Sequence, residues 1–385
     1  MSPKRLATLT HWRRRAAFTG MVSLALCLIA VWLDRKTFLP SYLFAWLFFL
    51  GLALGSLSIL LVHQLTGGRW GTVISQPLFA AAMTLPLLTV LFLPLLVVLP
   101  DLFVWAAPTA VAQSELVQQK HWYLNVPGFD LRAATYFVVW IGLVYGLRRL
   151  LLRRDRASDA AATKALRRLS IGGLIAYVLT MSGAAVDWIM SLTPEWYSTN
   201  FGLLTIVGQA LSAFAFVVVA AVVLIDRSPT AAARDFHELG NLLLMFVMTW
   251  AYLAFTQFLI IWGEDLPHET AWYAPRAQTN WLWVAIAVFA LQFVLPMAAL
   301  LFRDVKRDPR LLAGLCAAVV GACWLDTAWL VTPPFRTQGF ALRPFDVLAT
   351  LGIGGVWLAN VIGVLQRTPP FTDTTAPVQE AQQHG

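Results

Sequence analysis

The sequence predicts an all-α polytopic membrane protein of about ten transmembrane helices, and three observations predict it. Of its 385 residues, 59% are apolar and 12% charged, with a mean hydropathy of +0.68. A soluble chain of this length needs more charge to cover its surface, so the composition suits lipid as solvent. Apolar blocks of the roughly 20 residues needed to cross a hydrocarbon core recur along nearly the whole chain. Lysine and arginine are dense and sparse in alternate loops, the asymmetry that orients membrane helices.

The blocks fall at 16–33, 40–65, 77–100, 131–150, 170–191, 201–225, 237–262, 280–302, 311–332 and 345–365, which makes 1–367 one transmembrane domain. The first follows Arg13, Arg14 and Arg15 and ends Trp32-Leu33-Asp34. No small-residue cleavage site is present there, so it reads as a retained span. The third holds Pro86 and Pro94 and should kink, since membrane helices tolerate proline where neighbours re-satisfy the freed backbone groups. The loop 101–130 after it is the longest on its side and long enough to cover a site or a partner. The next loop is the most basic, with Arg148, Arg149, Arg153, Arg154, Arg156, Lys164, Arg167 and Arg168.

With the N-terminus inside, the inner segments carry 21 lysines and arginines and the outer ones 7. Both termini are therefore expected in the cytoplasm, in a bacterial inner membrane. The outer loops carry aromatics and acids instead: Glu195-Trp196-Tyr197, Trp262-Gly263-Glu264-Asp265 and Trp272-Tyr273-Ala274-Pro275-Arg276. Residues 368–385, rich in Pro, Thr and Gln, read as a disordered cytoplasmic tail.

Composition also excludes functions. The net charge of +8 is accounted for by the loop asymmetry, and no nucleic-acid partner is needed; the most basic loop also suits anionic lipid, but its topogenic role explains it sufficiently. Cys27, Cys316 and Cys323 all lie inside spans, where cysteine acts as a small hydrophobe. There is no CxxCH and no cysteine cluster for iron–sulfur. None of His11, His63, His121, His237, His268 and His384 lies deep in a span, so no pair can ligate an intramembrane haem. The expectation is a chain with no catalytic residues, no metal site and no redox cofactor of its own.

An internal repeat runs through the spans. The fifth ends Asp187-Trp-Ile-Met-Ser-Leu-Thr193-Pro194, with Phe201 beyond; the ninth ends Asp326-Thr-Ala-Trp-Leu-Val-Thr332-Pro333, with Phe340 beyond, at a constant offset of 139. The second span has Gly51-Leu-Ala53-Leu54 and the sixth Gly208-Gln-Ala210-Leu211. The repeat predicts two parallel four-helix bundles, spans 2–5 and 6–9, flanked by spans 1 and 10.

Ionisable residues inside a membrane cost at least a few kcal/mol, which makes each a functional candidate. Asp187 lies about 17 residues into its span, roughly 25 Å from the cytoplasmic end, and Asp326 at a similar level. Gln257 and Gln209 fall in the outer half, and Gln292 near the midplane. On the inner side sit His63 and the pair His237 and Glu238. These eight make a candidate proton path, or a set able to polarise a quinone carbonyl. The competing reading is structural: each aspartate hydrogen-bonds backbone N–H groups beyond its Thr-Pro break.

Several segments resemble a known family. They are Tyr42-Leu-Phe-Ala-Trp46 through Gly51-Leu-Ala-Leu-Gly55, His63-Gln-Leu-Thr-Gly-Gly-Arg-Trp-Gly71, Asp187 through Thr199, Phe201-Gly202, and Ile206 through Ser212. A further block comprises His237-Glu-Leu-Gly-Asn-Leu-Leu244, Trp250-Ala-Tyr252, Gln257 through Trp262, and Trp272-Tyr273. Together they resemble the F subunit of bacterial alternative complex III, a quinol:cytochrome c oxidoreductase, and its fold relatives, the NrfD/polysulfide-reductase membrane subunits.

The resemblance covers spans two to seven. It implies ten spans in two four-helix bundles, and a complex with iron–sulfur and multihaem cytochrome c subunits and a sister NrfD-like membrane subunit. The implied role is a scaffold that conducts protons or binds quinone, with Asp187 and Gln257 as polar positions within matching segments. Asp326 enters through the internal repeat. After Tyr273 the chain departs from the family, reading Ala-Pro-Arg276-Ala-Gln-Thr-Asn280-Trp281 where a glycine pair is expected. Two other readings remain: a stand-alone transporter or proton channel, and a purely structural anchor for peripheral redox subunits.

Overall fold

The computed structural model describes residues 3–157, 160–224 and 229–368. The tail segment 369–385 lies outside the described residues. Ten helices are long and apolar enough to cross a membrane: α1 (Leu6–Leu33), α2 (Arg35–Thr66), α3 (Trp70–Val97), α4 (Val126–Arg154), α5 (Ala160–Leu192), α6 (Phe201–Leu224), α7 (Arg234–Glu264), α8 (Trp281–Leu300), α9 (Pro309–Val331) and α10 (Pro344–Arg367). Among the described residues there is no strand. The chain is thus an all-α polytopic membrane protein.

Packing follows the repeat. α2–α5 contact one another, as do α6–α9, while α1 lies along α10. The two units meet where α6 packs along α2. Lipid tails give no hydrophobic drive for helices to associate, so close approach through small residues must supply it. Gly51 and Gly55 provide that approach. A Cβ at Gly51 would lie 3.2 Å from Cγ of Gln209, and one at Gly55 would overlap the Gln209 backbone carbonyl. α2 is the central element, 94% buried over its most apolar stretch.

Local chemistry explains the interruptions. α3 is two helices, Trp70–Ala82 and Leu85–Val97, broken at Met83–Thr84. Pro86 has no N–H to give and its ring clashes with the carbonyl four residues back, so the helix restarts just before it. α8 contains a π-helical turn at Ala290–Val294, and such turns inside membrane or soluble helices recur at functional sites. The loop 101–130 folds as short helical turns that bury Phe103 and Trp105 against Phe129. It covers the α2–α4 end of the first unit, and Arg35 pairs with Asp101 beside it.

Candidate functional site

The end of the molecule that holds the Glu/Trp/Tyr loops is termed the aromatic end, and the opposite, arginine-rich end the basic end. The eight candidate residues do not form one path. Asp326, Gln257 and Gln209 line a single cavity, and Gln292 adjoins it. Asp187 lies apart within the first unit, and the histidines lie at the basic end.

The cavity has a volume of about 370 Å³ and is walled by α2, α6, α7, α8, α9 and the short helix Pro267–Ala277. Its lining is mostly apolar and aromatic, including Phe48, Trp250, Trp272 and Trp329. A few convergent polar groups within an apolar wall are the usual make-up of a small-molecule site. The opening lies between α7 and α8. α7 packs on the half of α8 beyond its π-helical turn and diverges from Trp281–Phe289. Phe255, Phe258 and Phe289 line that gap and are 60%, 47% and 53% exposed. Aromatic rings this exposed on a spanning helix face lipid, so the cavity is reached from the side.

Asp326 closes the other side of the cavity. Among the described residues no cation lies within ion-pair distance of its carboxyl. Gln292 is fully buried at the π-helical turn, with neither amide atom hydrogen-bonded. Its amide faces the Asp326 carboxyl without reaching hydrogen-bond geometry. A buried amide left unpaired costs about 1–3 kcal/mol, so a ligand or water bridging this pair would be favoured. Gln257 accepts a hydrogen bond from the Ser198 hydroxyl at 3.3 Å. Gln209 accepts one from the Tyr177 hydroxyl at 3.0 Å and approaches the Met181 sulfur at 3.4 Å.

Arg276, to which sequence reasoning assigned no role, backs the cavity wall through the rings of Trp272 and Trp329. It is 4% exposed, stacks 3.6 Å over the Trp272 ring, and donates to the carbonyls of Trp272, Trp329 and Leu330. Burial pushes its pKa down to about 9, where it is still a cation at neutral pH. Burial pushes the neighbouring Tyr273 phenol up to about 12, so it stays a neutral donor.

Asp187 has the opposite surroundings. Its carboxylate accepts two hydrogen bonds from the Arg132 guanidinium, both at 2.9 Å, and one from the Tyr136 hydroxyl at 2.8 Å. Arg132 also donates to the Tyr123 carbonyl and stacks 3.9 Å over the Tyr123 ring. The competing structural reading, a backbone cap beyond Thr193-Pro194, is corrected in its partner: a cation from α4 outcompetes neutral N–H groups for a carboxylate. Among the described residues, no hydrogen bond runs from Asp326 to backbone beyond Thr332-Pro333 either. A second buried pair was not foreseen. Arg336 holds Asp346 through two hydrogen bonds, at 2.9 and 2.5 Å, and Ser41 joins the cluster at 2.6 Å.

The remaining candidates are local. His63 faces the Gly68 carbonyl at 3.2 Å and the Gln64 amide at 3.4 Å, and packs against Gly71 and the Trp70 ring. It holds the turn between α2 and α3. Glu238 lies 3.9 Å from Arg234, and His237 is near Lys306. Neither lines the cavity.

No family model and no curated protein matches the chain.

Proposed function

We propose that the chain is the F-type membrane subunit of a quinol:cytochrome c oxidoreductase of the alternative complex III kind, and that its cavity takes a quinone ring. The observation that carries this reading is the lipid-facing cavity ending on an acid with no cation beside it. A quinone ring is flat, apolar and held in the bilayer, and its two carbonyls call for donors at one edge. The α7–α8 gap matches the route of entry, and Tyr273, Gln257 and Asp326 supply the polar edge. A quinol releases protons on oxidation, and Asp326 is the group placed to accept one. The segments that resemble the family supply much of this wall: Gly208-Gln209 on α6, Trp250 and Gln257 on α7, and Trp272-Tyr273 on the short helix. Electrons would pass through iron–sulfur and c-haem partners, with a sister NrfD-like subunit alongside in the bacterial inner membrane.

Two measurements test the reading. Purification in mild detergent is expected to bring iron–sulfur and c-haem proteins with the chain; a stable monomer free of redox partners would count against the complex. Trp250, Trp272 and Trp329 line the cavity, so adding a water-soluble quinone analogue should quench tryptophan fluorescence saturably. Asp326→Asn is expected to weaken that quenching several-fold. Non-saturating quenching, equal in both proteins, would overturn the quinone site while leaving the partner question to the first measurement.

A further inference from the structure

The hairpin between α8 and α9 carries a cluster that the cavity does not use. Arg303, Lys306 and Arg307 lie on one short helix, Arg303–Arg307, at spacings of three and four residues that share a face. Lys306 is 9% exposed. Its stem crosses α7 at Gly240, where an added Cβ would lie 2.8 Å from the lysine Cγ. Its ammonium donates to the Asn241 side-chain oxygen at 2.7 Å. A buried cation held by a neutral amide keeps its charge unmatched. One turn before Gly240, His237 faces Lys306, Arg303 and Arg307, and its Nδ1 is buried without a hydrogen-bond partner.

The acids nearby do not complete the cluster. Glu238 lies beside His237 and reaches Arg234. Asp235 pairs with Arg69 at 3.2 Å. Asp308 accepts from the backbone N–H groups of Arg310 and Leu311. Asp304 is exposed on the short helix and forms no ion pair among the described residues. Arg303 and Arg307 are exposed, with neither hydrogen bond nor ion pair among the described residues. Directly preceding them, Leu301 and Phe302 are 68% and 66% exposed.

We propose that this hairpin binds the phosphate headgroup of an anionic phospholipid. Two free guanidinium groups, a buried ammonium and an imidazole with an open nitrogen converge where a spanning helix ends. Guanidinium groups bind phosphate oxygens in a bidentate fork. Leu301 and Phe302, directly after the end of the span at Leu300, extend the cluster with exposed apolar surface that suits an acyl chain and that a soluble anion would not use. Basic pockets between helices at the membrane boundary are suited to this class of ligand. The bound lipid would join the start of α7 to the start of α9 and brace the second unit at the end opposite its cavity.

The test uses the full chain in a neutral detergent and reads its thermal unfolding midpoint. Phosphatidylglycerol, phosphatidylethanolamine and inorganic phosphate are added separately. Phosphatidylglycerol is expected to raise the midpoint, and the other two to leave it unchanged. Arg303→Gln with Arg307→Gln should abolish the rise while keeping the midpoint in detergent alone. Arg148→Gln with Arg149→Gln, in the most basic loop, should keep the full rise. Should the hairpin variant fail to fold, the parent and His237→Phe are compared for phosphatidylglycerol retained after purification, and His237→Phe is expected to retain several-fold less. Equal stabilisation by phosphate would assign the site to a soluble anion and overturn the lipid. Equal loss in the Arg148/Arg149 variant, or no preference between the two lipids, would reduce the effect to general basicity and overturn the site.

Discussion

The two four-helix units carry an aspartate at the same point of their repeat and surround it in opposite ways. In the first unit, Arg132 stands in the second turn of α4 with Tyr136 one turn on, and both reach Asp187. In the second, the opening turns of α8, Trp281–Phe289, carry no charge. The nearest arginine along the chain is Arg276, which lies before the helix and stacks on Trp272 instead. Asp326 is thereby left facing a cavity. One position thus serves as a tie in one unit and as a cavity-lining acid with no cation beside it in the other. Duplicated architecture fixes where an aspartate sits; the neighbouring helix decides what it does.

Breaking the tie should have the largest effect. Arg132→Met leaves Asp187 buried without its cation, and removing one partner of such a pair costs about 3–5 kcal/mol. Thermal unfolding of the purified chain should register this as a large fall or as failure to recover folded protein. Adding Asp187→Leu to that variant is expected to restore most of the loss, because two apolar side chains leave no orphaned charge. A double variant as unstable as the single one would show that Asp187 is held for another reason.

The contact between the units comes next. Gly55→Ala places a methyl group against the Gln209 backbone, a clash that α6 can relieve only by shifting, and overpacking of this kind costs about 1–3 kcal/mol. Gly314→Ala, on α9 with open space around it, should cost nothing measurable in the same assay. Equal behaviour of the two would contradict the close crossing of α2 and α6.

Arg276→Gln tests how the second unit uses its arginine. Loss of the buried stacking on Trp272 is worth about 2 kcal/mol in stability. The clearer result should be a change in tryptophan emission and weaker quenching by quinone, as the wall of the cavity loosens. Asp326→Leu is expected to have the smallest effect on stability, within about 1 kcal/mol of the parent, since it removes no ion pair. A loss as large as that of Arg132→Met would erase the contrast between the units.

The ten helices are legible in the sequence because lipid demands long apolar blocks and tolerates little else. Asp187, Asp326 and the glutamines could be singled out for the same reason, as costly groups inside those blocks. Their partners could not. Arg132 lies 55 residues from Asp187, at the margin of a block where a cation reads as ordinary topogenic charge. Arg336 and Asp346 lie in a loop and a helix start, where charge costs little, so nothing marked them as a buried pair. Ser41 approaches them from 305 residues away. The cavity was hidden for a related reason. Its walls are the same Phe, Leu and Trp that build any span, and only the divergence of α7 from α8 turns them into a site.

That divergence makes lateral access to Asp326 the central claim, and photolabelling tests it most directly. The chain in lipid nanodiscs is illuminated with an azido-quinone, and labelled peptides are mapped by mass spectrometry. Label is expected on α7 around Ala254–Phe258 and on α9 around Cys323–Leu330, displaced by excess unlabelled quinone and reduced in Asp326→Asn. Label spread evenly over the lipid-facing helices, unaffected by competitor or by Asp326→Asn, would contradict the site.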